Sequence, residues 1–140
     1  MSKYNSKKVI VDDITFDSKQ EADYYITLKE LVKMGEIKNF SLQPKYELIP
    51  QFTKFGVKYR SMTYTPDFLI EHLDSTVECI DVKGFGTQQG DMRRKLFNYL
   101  YPDIKLTWVS YSKKWGGWVE YDELKKLRKN NKKVLNKNNE

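Results

Sequence analysis

Cysteine and histidine each occur once in this chain of 140 residues, as Cys79 and His72. A lone cysteine excludes an internal disulfide and a cysteine-rich zinc site. A lone histidine argues against a histidine-based nucleophilic triad and against a histidine-rich metal site. Cys79 lies in an apolar run and reads as a small core residue, and His72 reads as a turn residue. No apolar run approaches the roughly 18 residues that a membrane span needs. Lys3, Lys7 and Lys8 stand near the start with no apolar stretch before a cleavage site, so a signal peptide is not expected. The expected compartment is the cytoplasm of the cell that makes the protein.

Apolar residues make up 39% of the chain and charged residues 31%, the balance of a soluble folded protein. The length suits one domain with one modest core, spanning 1–140, with 1–8 and 134–140 expected to be loose. Lys and Arg number 25 against 19 Asp and Glu, for a net charge of +6. That excess points to an anionic partner, nucleic acid first and an acidic membrane surface second, or simply to solubility. Between Glu123 and Glu140 lie Lys125, Lys126, Arg128, Lys129, Lys132, Lys133 and Lys137 with no acid among them. This tail is either a solvated, fraying end or a basic arm that neutralises phosphates.

The chain has no internal repeat. Val9–Val11 and Ile14–Phe16 flank Asp12-Asp13 and read as a short hairpin or extended lead-in. A helix is predicted from Ser18 to Met34, stopped by Gly35, with Glu21, Tyr25, Leu28 and Val32 on one face. Lys45–Ile49 alternates as a strand does, and Gln51–Lys58 reads as a turn or loop around Gly56. Tyr59–Tyr64 and Asp67–Ile70 read as strand broken near Pro66, and Val77–Lys83 as a further strand. Gly84–Gly90 reads as a flexible loop. Asp91–Tyr101 reads as a helix with Met92, Leu96, Phe97 and Leu100 on one face, ended by Pro102. Leu106–Tyr111 is a predicted strand, Trp115–Trp118 a turn, and Val119 to about Lys133 a last helix. Helix, three strands, helix, strand, helix implies an α/β fold with a mixed central sheet flanked by helices.

The chemistry concentrates in Thr65-Pro66-Asp67-Phe68-Leu69-Ile70 and Cys79-Ile80-Asp81-Val82-Lys83-Gly84. The polar run His72–Thr76 between them is turn-like. A hairpin centred on Asp74 sets Asp67 directly opposite Asp81, on the same face, with Cβ atoms about 4.5–5.5 Å apart. Lys83, two residues beyond Asp81, shares that face, and a register slip of one residue would spoil the arrangement. Facing carboxylates repel, and a hard divalent cation relieves the repulsion. Mg²⁺ favours one or two carboxylates together with water and phosphate oxygens, and Mn²⁺ suits the same ligands. Two carboxylates and a lysine supply what metal-assisted phosphodiester hydrolysis needs. The alternative for these residues is a strand end and a solvated strand face.

Pro66-Asp67, followed 14 positions later by Asp81-Val82-Lys83 at the end of an apolar strand, resembles the PD-(D/E)xK nuclease superfamily. That superfamily includes restriction endonucleases, junction resolvases and repair nucleases. The resemblance spans roughly Phe16 to Tyr111 and implies a restriction-endonuclease-like core. It implies Asp67 and Asp81 as metal ligands, Lys83 as the catalytic lysine and Glu21, on the first helix, as an accessory ligand or water-binding group. Glu21 has a rival reading. Ser18-Lys19-Gln20-Glu21 is a capping box, whereas a cap at Asp17 paired with Gln20 would free Glu21 to project. More narrowly, the run from Asp81 to Gly84 leading to Lys95-Leu96-Phe97 looks like small phage-encoded nucleases, some described as Holliday-junction resolvases.

Four further positions are candidate nucleic-acid contacts, each with a plain structural alternative. Lys95 lies on the helix after the motif, facing the site or solvent. Gln43 precedes Pro44 and either touches substrate or caps a turn. Arg60 is expected on a strand near Asp67, and Gln88 beside Gln89 in the glycine-rich loop. Trp115 and Trp118 are expected either to stack on unpaired bases or to pack on the sheet edge. The leading expectation is a Mg²⁺-dependent endodeoxyribonuclease acting on branched DNA as a two-fold dimer, with no membrane and no small-molecule cofactor. The alternative is a nucleic-acid-binding module of the same fold without catalysis.

Overall fold

The computed structural model describes residues 7–84 and 88–138. β1 (Val9–Val11) and β2 (Ile14–Phe16) form a hairpin turning on Asp12 and Asp13, both with positive φ. Asp12 also accepts from Tyr25 Oη (2.8 Å) and pairs with Lys29 (2.5 Å), pinning the hairpin to α1 (Lys19–Lys33). Helix α1 starts at Ser18, whose Oγ accepts from the Glu21 N–H at 3.1 Å. It ends as expected before Gly35, whose φ of +72° is free of strain only in glycine.

β8 (Phe68–Glu71) and β9 (Val77–Val82) make the central antiparallel pair, joined by the turn at His72–Thr76. β3 (Asn39–Leu42) lies beside β8, and β10 (Lys105–Ser112) beside β9. β11 (Gly117–Glu120) closes the sheet, whose order is β11-β10-β9-β8-β3. Only the β9–β10 contact in this sheet is parallel. The parallel connection runs through α2 (Gln88–Leu100), as a crossover must. The fold is thus mixed α/β: a five-stranded mixed sheet flanked by helices.

Alternation divides the sheet into two buried faces. Phe68, Ile70 and Ile80 pack with Ala22, Tyr25 and Leu28 of α1. On the other face Cys79 packs with Phe97 of α2, Leu48 of β4 (Tyr46–Ile49) and Tyr64 of β7 (Met62–Tyr64). β4 and β7 form their own two-stranded ribbon. The Tyr101 hydroxyl donates to Glu47 O at 2.7 Å, and Arg93 Nε to Thr63 O at 3.2 Å, tying α2 to that ribbon. Cys79 is a core residue, as its sequence surroundings imply, and its thiol donates to Tyr46 Oη at 3.4 Å.

Several boundaries differ from the sequence reading. Asn39–Leu42, unassigned there, is β3, recruited by pairing with β8. The expected loop around Gly56 is a hairpin of β5 (Phe52–Lys54) and β6 (Val57–Tyr59), and Tyr59–Tyr64 is not one strand. The turn read at Trp115–Trp118 gives way at Gly117 to β11, because Trp118 and Val119 pair with Tyr111 and Ser110. Helix α3 therefore begins at Tyr121 and continues to Asn138. Trp118 packs edge-on against Tyr24 (4.9 Å between centroids), the sheet-edge alternative.

Helix α2 starts at Gln88, earlier than Asp91, and buries a different face. Phe97 is fully buried, whereas Met92 and Leu100 are exposed. The ribbon covers the Phe97 side and leaves Met92 in water. Of the ends expected to be loose, 1–6 and 139–140 lie outside the described residues, as do 85–87 of the expected loop. Among the described residues no helix is long and apolar enough to cross a membrane. Phe97→Ala is expected to cost about 3–5 kcal/mol in urea denaturation, and Met92→Ala no more than about 0.5 kcal/mol. Equal costs would contradict the buried face described here.

Candidate active site

The β8–β9 register pairs Phe68 with Ile80 and Leu69 with Cys79. Extending it by one residue sets Asp67 opposite Asp81, the arrangement expected from the sequence. Both acids share the parity of Leu69 and Cys79, so they stand on the α2 face. Asp81 is 5% exposed, unusually low for a carboxylate. The two carboxyls are hydrogen-bonded to each other, and Asp67 Oδ2 also accepts from the Val82 N–H at 2.8 Å. Burial first, then the facing Asp81, and then the charge of Glu21 push the Asp67 pKa well above the ordinary carboxylate range.

Asp81 is held on its other side by Tyr64 and Lys83, with Trp108 supporting both. Tyr64 Oη of β7 donates to Asp81 Oδ2 at 2.6 Å, and Lys83 Nζ lies 3.2 Å from the same oxygen. Trp108 sits beside Asp81 in the parallel β9–β10 register, and its indole N–H donates to Tyr64 Oη at 3.0 Å. Burial and the Asp81 charge raise the Tyr64 pKa strongly, keeping its phenol a donor. Lys83 Nζ also stands 4.8 Å from the centre of the Trp108 ring, and the Arg94 guanidinium 4.6 Å from it. Arg94 is fixed by two contacts to Asp122 at the start of α3. The strand end carrying Lys83 is itself anchored: Lys83 N–H donates to Val109 O at 2.8 Å, and Ser110 Oγ to Lys83 O at 2.5 Å.

Glu21, Gln43 and Asp67 line one small pocket, with Thr15, Leu42 and Phe68 among its walls. Gln43 has φ +48°, and its N–H donates to Asp67 O at 2.9 Å. That left-handed bend ends β3 and leaves the exposed Gln43 lining the pocket beside Asp67. The Glu21 carboxyl hydrogen-bonds at the Asp17 backbone and the Ser18 side chain, which selects the Ser18 cap over the Asp17 cap. Burial and the charges of Asp17 and Asp81 raise its pKa all the same.

Among the described residues no three His, Cys, Asp or Glu side chains form a metal-binding group. Glu21, expected as an accessory ligand or water-binding group, borders the pair with its carboxyl turned back to the helix cap. Asp67 and Asp81 remain as a two-carboxylate donor set, which matches the preference of Mg²⁺.

The other expected contacts fare differently. Arg60 lies between β6 and β7 rather than on a strand beside Asp67, and it is exposed. Lys95 points away from the core and is exposed. Arg94, its neighbour, is the α2 cation that stands over the Trp108 ring. Gln88 opens α2, and its side chain falls outside the described residues. Tyr64, Trp108 and Arg94 were not foreseen. A tryptophan in a strand otherwise rich in β-formers was the available signal, since a buried indole N–H needs an acceptor.

The raised Asp67 pKa has a definite sign. The folded chain keeps a proton that the unfolded chain releases near the ordinary carboxylate pKa. Stability from this group is full below that value and is lost as pH rises through the folded one. Asparagine mimics the protonated acid. In EDTA, Asp67→Asn is expected to raise Tm at pH 8 by about 2–6 °C, with the gap closing near pH 4. A gap independent of pH would show that the pair does not share a proton.

Comparison with curated proteins and with solved structures finds no match. The family described as protein of unknown function DUF1064 matches residues 1–117, which include Glu21, Asp67, Asp81, Lys83 and Trp108. The chain belongs to the DUF1064 family.

Proposed function

We propose that this protein is a Mg²⁺-dependent DNA endonuclease of the PD-(D/E)xK type, with a restriction-endonuclease-like core. It acts on branched DNA, as a homodimer, in the cytoplasm. The observation that carries the reading is the facing pair of buried Asp81 and partly buried Asp67, with Lys83 Nζ 3.2 Å from Asp81. A buried pair of acids is costly without a cation or a shared proton, and strand geometry holds the lysine beside it.

Asp67 and Asp81 would hold the ion. When bound, Mg²⁺, or Mn²⁺ in its place, supplies Lewis-acid polarisation of a phosphodiester and lowers the pKa of water. The remaining work falls to the chain's own side chains. Lys83 presents positive charge toward the scissile phosphate and orients the attacking water, and the charge that develops in the transition state strengthens that contact. Tyr64 fixes the Asp81 rotamer through its 2.6 Å hydrogen bond. The Trp108 ring shields one side of Lys83 from water. Arg94, on the same ring, adds a second cation for a neighbouring phosphate. Glu21 and Gln43, in the pocket beside Asp67, are placed to hold water or a sugar–phosphate edge.

The test is cleavage of a labelled four-way junction, a flap, linear duplex and single strand, in Mg²⁺ or EDTA. Lys83→Ala is expected to lower the cleavage rate about 10²–10³-fold, and Asp81→Ala to abolish it. Cutting that is insensitive to EDTA or to either substitution would overturn the assignment. Binding without cutting in every condition would leave a nucleic-acid-binding module instead.

A further inference from the structure

Among the described residues, the hairpin of β5 and β6 is paired only with itself. Phe52 stacks on Tyr59 across it, with ring centroids 4.8 Å apart and planes within 13°. Register places Phe52, Lys54, Val57 and Tyr59 on one face and Thr53 and Lys58 on the other. Phe52 and Tyr59 are each 45% exposed and Val57 52%, so the aromatic face is open rather than docked. At the tip stands Phe55, 95% exposed, with φ +47°, followed by Gly56 at +76°. Two positive φ angles make the tight turn that matches strand twist, for which Asn, Asp and Gly are the inexpensive residues. Phenylalanine there is strained, and no burial in the folded chain compensates for it. Strain kept at an exposed position points to a role outside the fold.

Chemistry identifies the partner. From Gln51 to Thr65 there are three cations, Lys54, Lys58 and Arg60, and no acid. Open aromatic rings interleaved with cations suit a nucleic acid with accessible bases, stacking on the rings and neutralised at the phosphates. The arm also leads to the acidic pair. It continues the β4–β7 ribbon, and Tyr64 of β7 is the residue that donates to Asp81. Tyr64 is nine positions beyond Phe55, a reach of at most about 30 Å along an extended strand.

We propose that the β5–β6 hairpin is a DNA-stacking arm in which Phe55 inserts against an unpaired or kinked base at a branch, while Lys54 and Lys58 hold the flanking phosphates. The inference deepens the nuclease reading and rests on DNA being the substrate, but it is tested by binding rather than cleavage.

The full chain is titrated in EDTA with labelled four-way junction, forked duplex and linear duplex. Phe55→Ala, at an exposed tip, is expected to leave Tm unchanged and to weaken junction and fork binding about tenfold. Phe55→Trp is expected to restore it, and linear duplex to change little. Replacing Lys54 and Lys58 together with alanine should reduce the slope of log K against log salt by about 2. Unchanged affinity in Phe55→Ala overturns the proposal, and so does an equal loss on linear duplex. A shift in sedimentation would make the arm a contact between copies of the chain. Phe55-dependent binding to anionic vesicles, with none to DNA, would make it a membrane anchor, and either result overturns the proposal. Failure of the nuclease reading is distinguishable: no cleavage in Mg²⁺ while Phe55-dependent junction binding persists.

Discussion

Two carboxyls facing each other across an antiparallel strand pair, in surroundings that exclude most water, repel unless something positive lies between or beside them. Asp67 and Asp81 meet this constraint with a raised Asp67 pKa and a lysine beside Asp81, and much of the surrounding structure follows from it. Pro66 and the left-handed Gln43 fix the entry to β8, where the Asp67 carbonyl accepts from Gln43. Asp67 itself is satisfied by a backbone N–H, and Asp81 by a phenol that is satisfied in turn by an indole. Among the described residues, no buried side-chain polar atom is left without a partner, so the cost at this site is charge repulsion rather than broken hydrogen bonds.

Trp108 organises the cations around that pair. Its indole N–H reaches Tyr64, and its ring carries both Lys83 and Arg94 within 5 Å of the centroid. Arg94 is held from behind by Asp122, so the first turn of α3 stabilises a guanidinium near the acids. Positive charge is thereby fixed around the Trp108 ring, with Lys83 beside Asp81. The pocket lined by Glu21 and Gln43 opens beside Asp67. A polyanionic backbone approaching such a site meets cations and acids in separate places, which is a basis for orientation as well as attraction.

The acids and the lysine were legible because strand pairing has a period of two and the turn between the strands is short. Once His72–Thr76 reads as a turn, the facing of Asp67 and Asp81 follows, and β8 and β9 pair in that register. The residues that escaped the sequence reading are those whose place depends on long-range pairing. Asn39–Leu42 carries no strong strand pattern and becomes a strand because β8 offers it an edge. Arg94 rather than Lys95 faces the sheet because the β4–β7 ribbon fixes the rotation of α2, which the helix's own apolar pattern misreports. Glu21 was ambiguous for a different reason. One carboxyl both caps its helix and borders the acids, so its two readings are not exclusive.

The parallel pairing of β9 with β10 also governs when the site comes into existence. The β8–β9 hairpin closes over a short turn, so the two acids can meet early in folding. Trp108 arrives only after the crossover through α2 has been laid down, and parallel strands separated by such a connection pair slowly. Until then the acids lack the tryptophan platform that positions Lys83, and the hairpin bears their repulsion with less relief. Completion of the sheet is therefore the event that assembles the charge arrangement, and a partly folded chain presents the acids without their cations. The same ordering means that a lesion in the β10 strand would disarm the site while leaving the Asp67 and Asp81 hairpin formed.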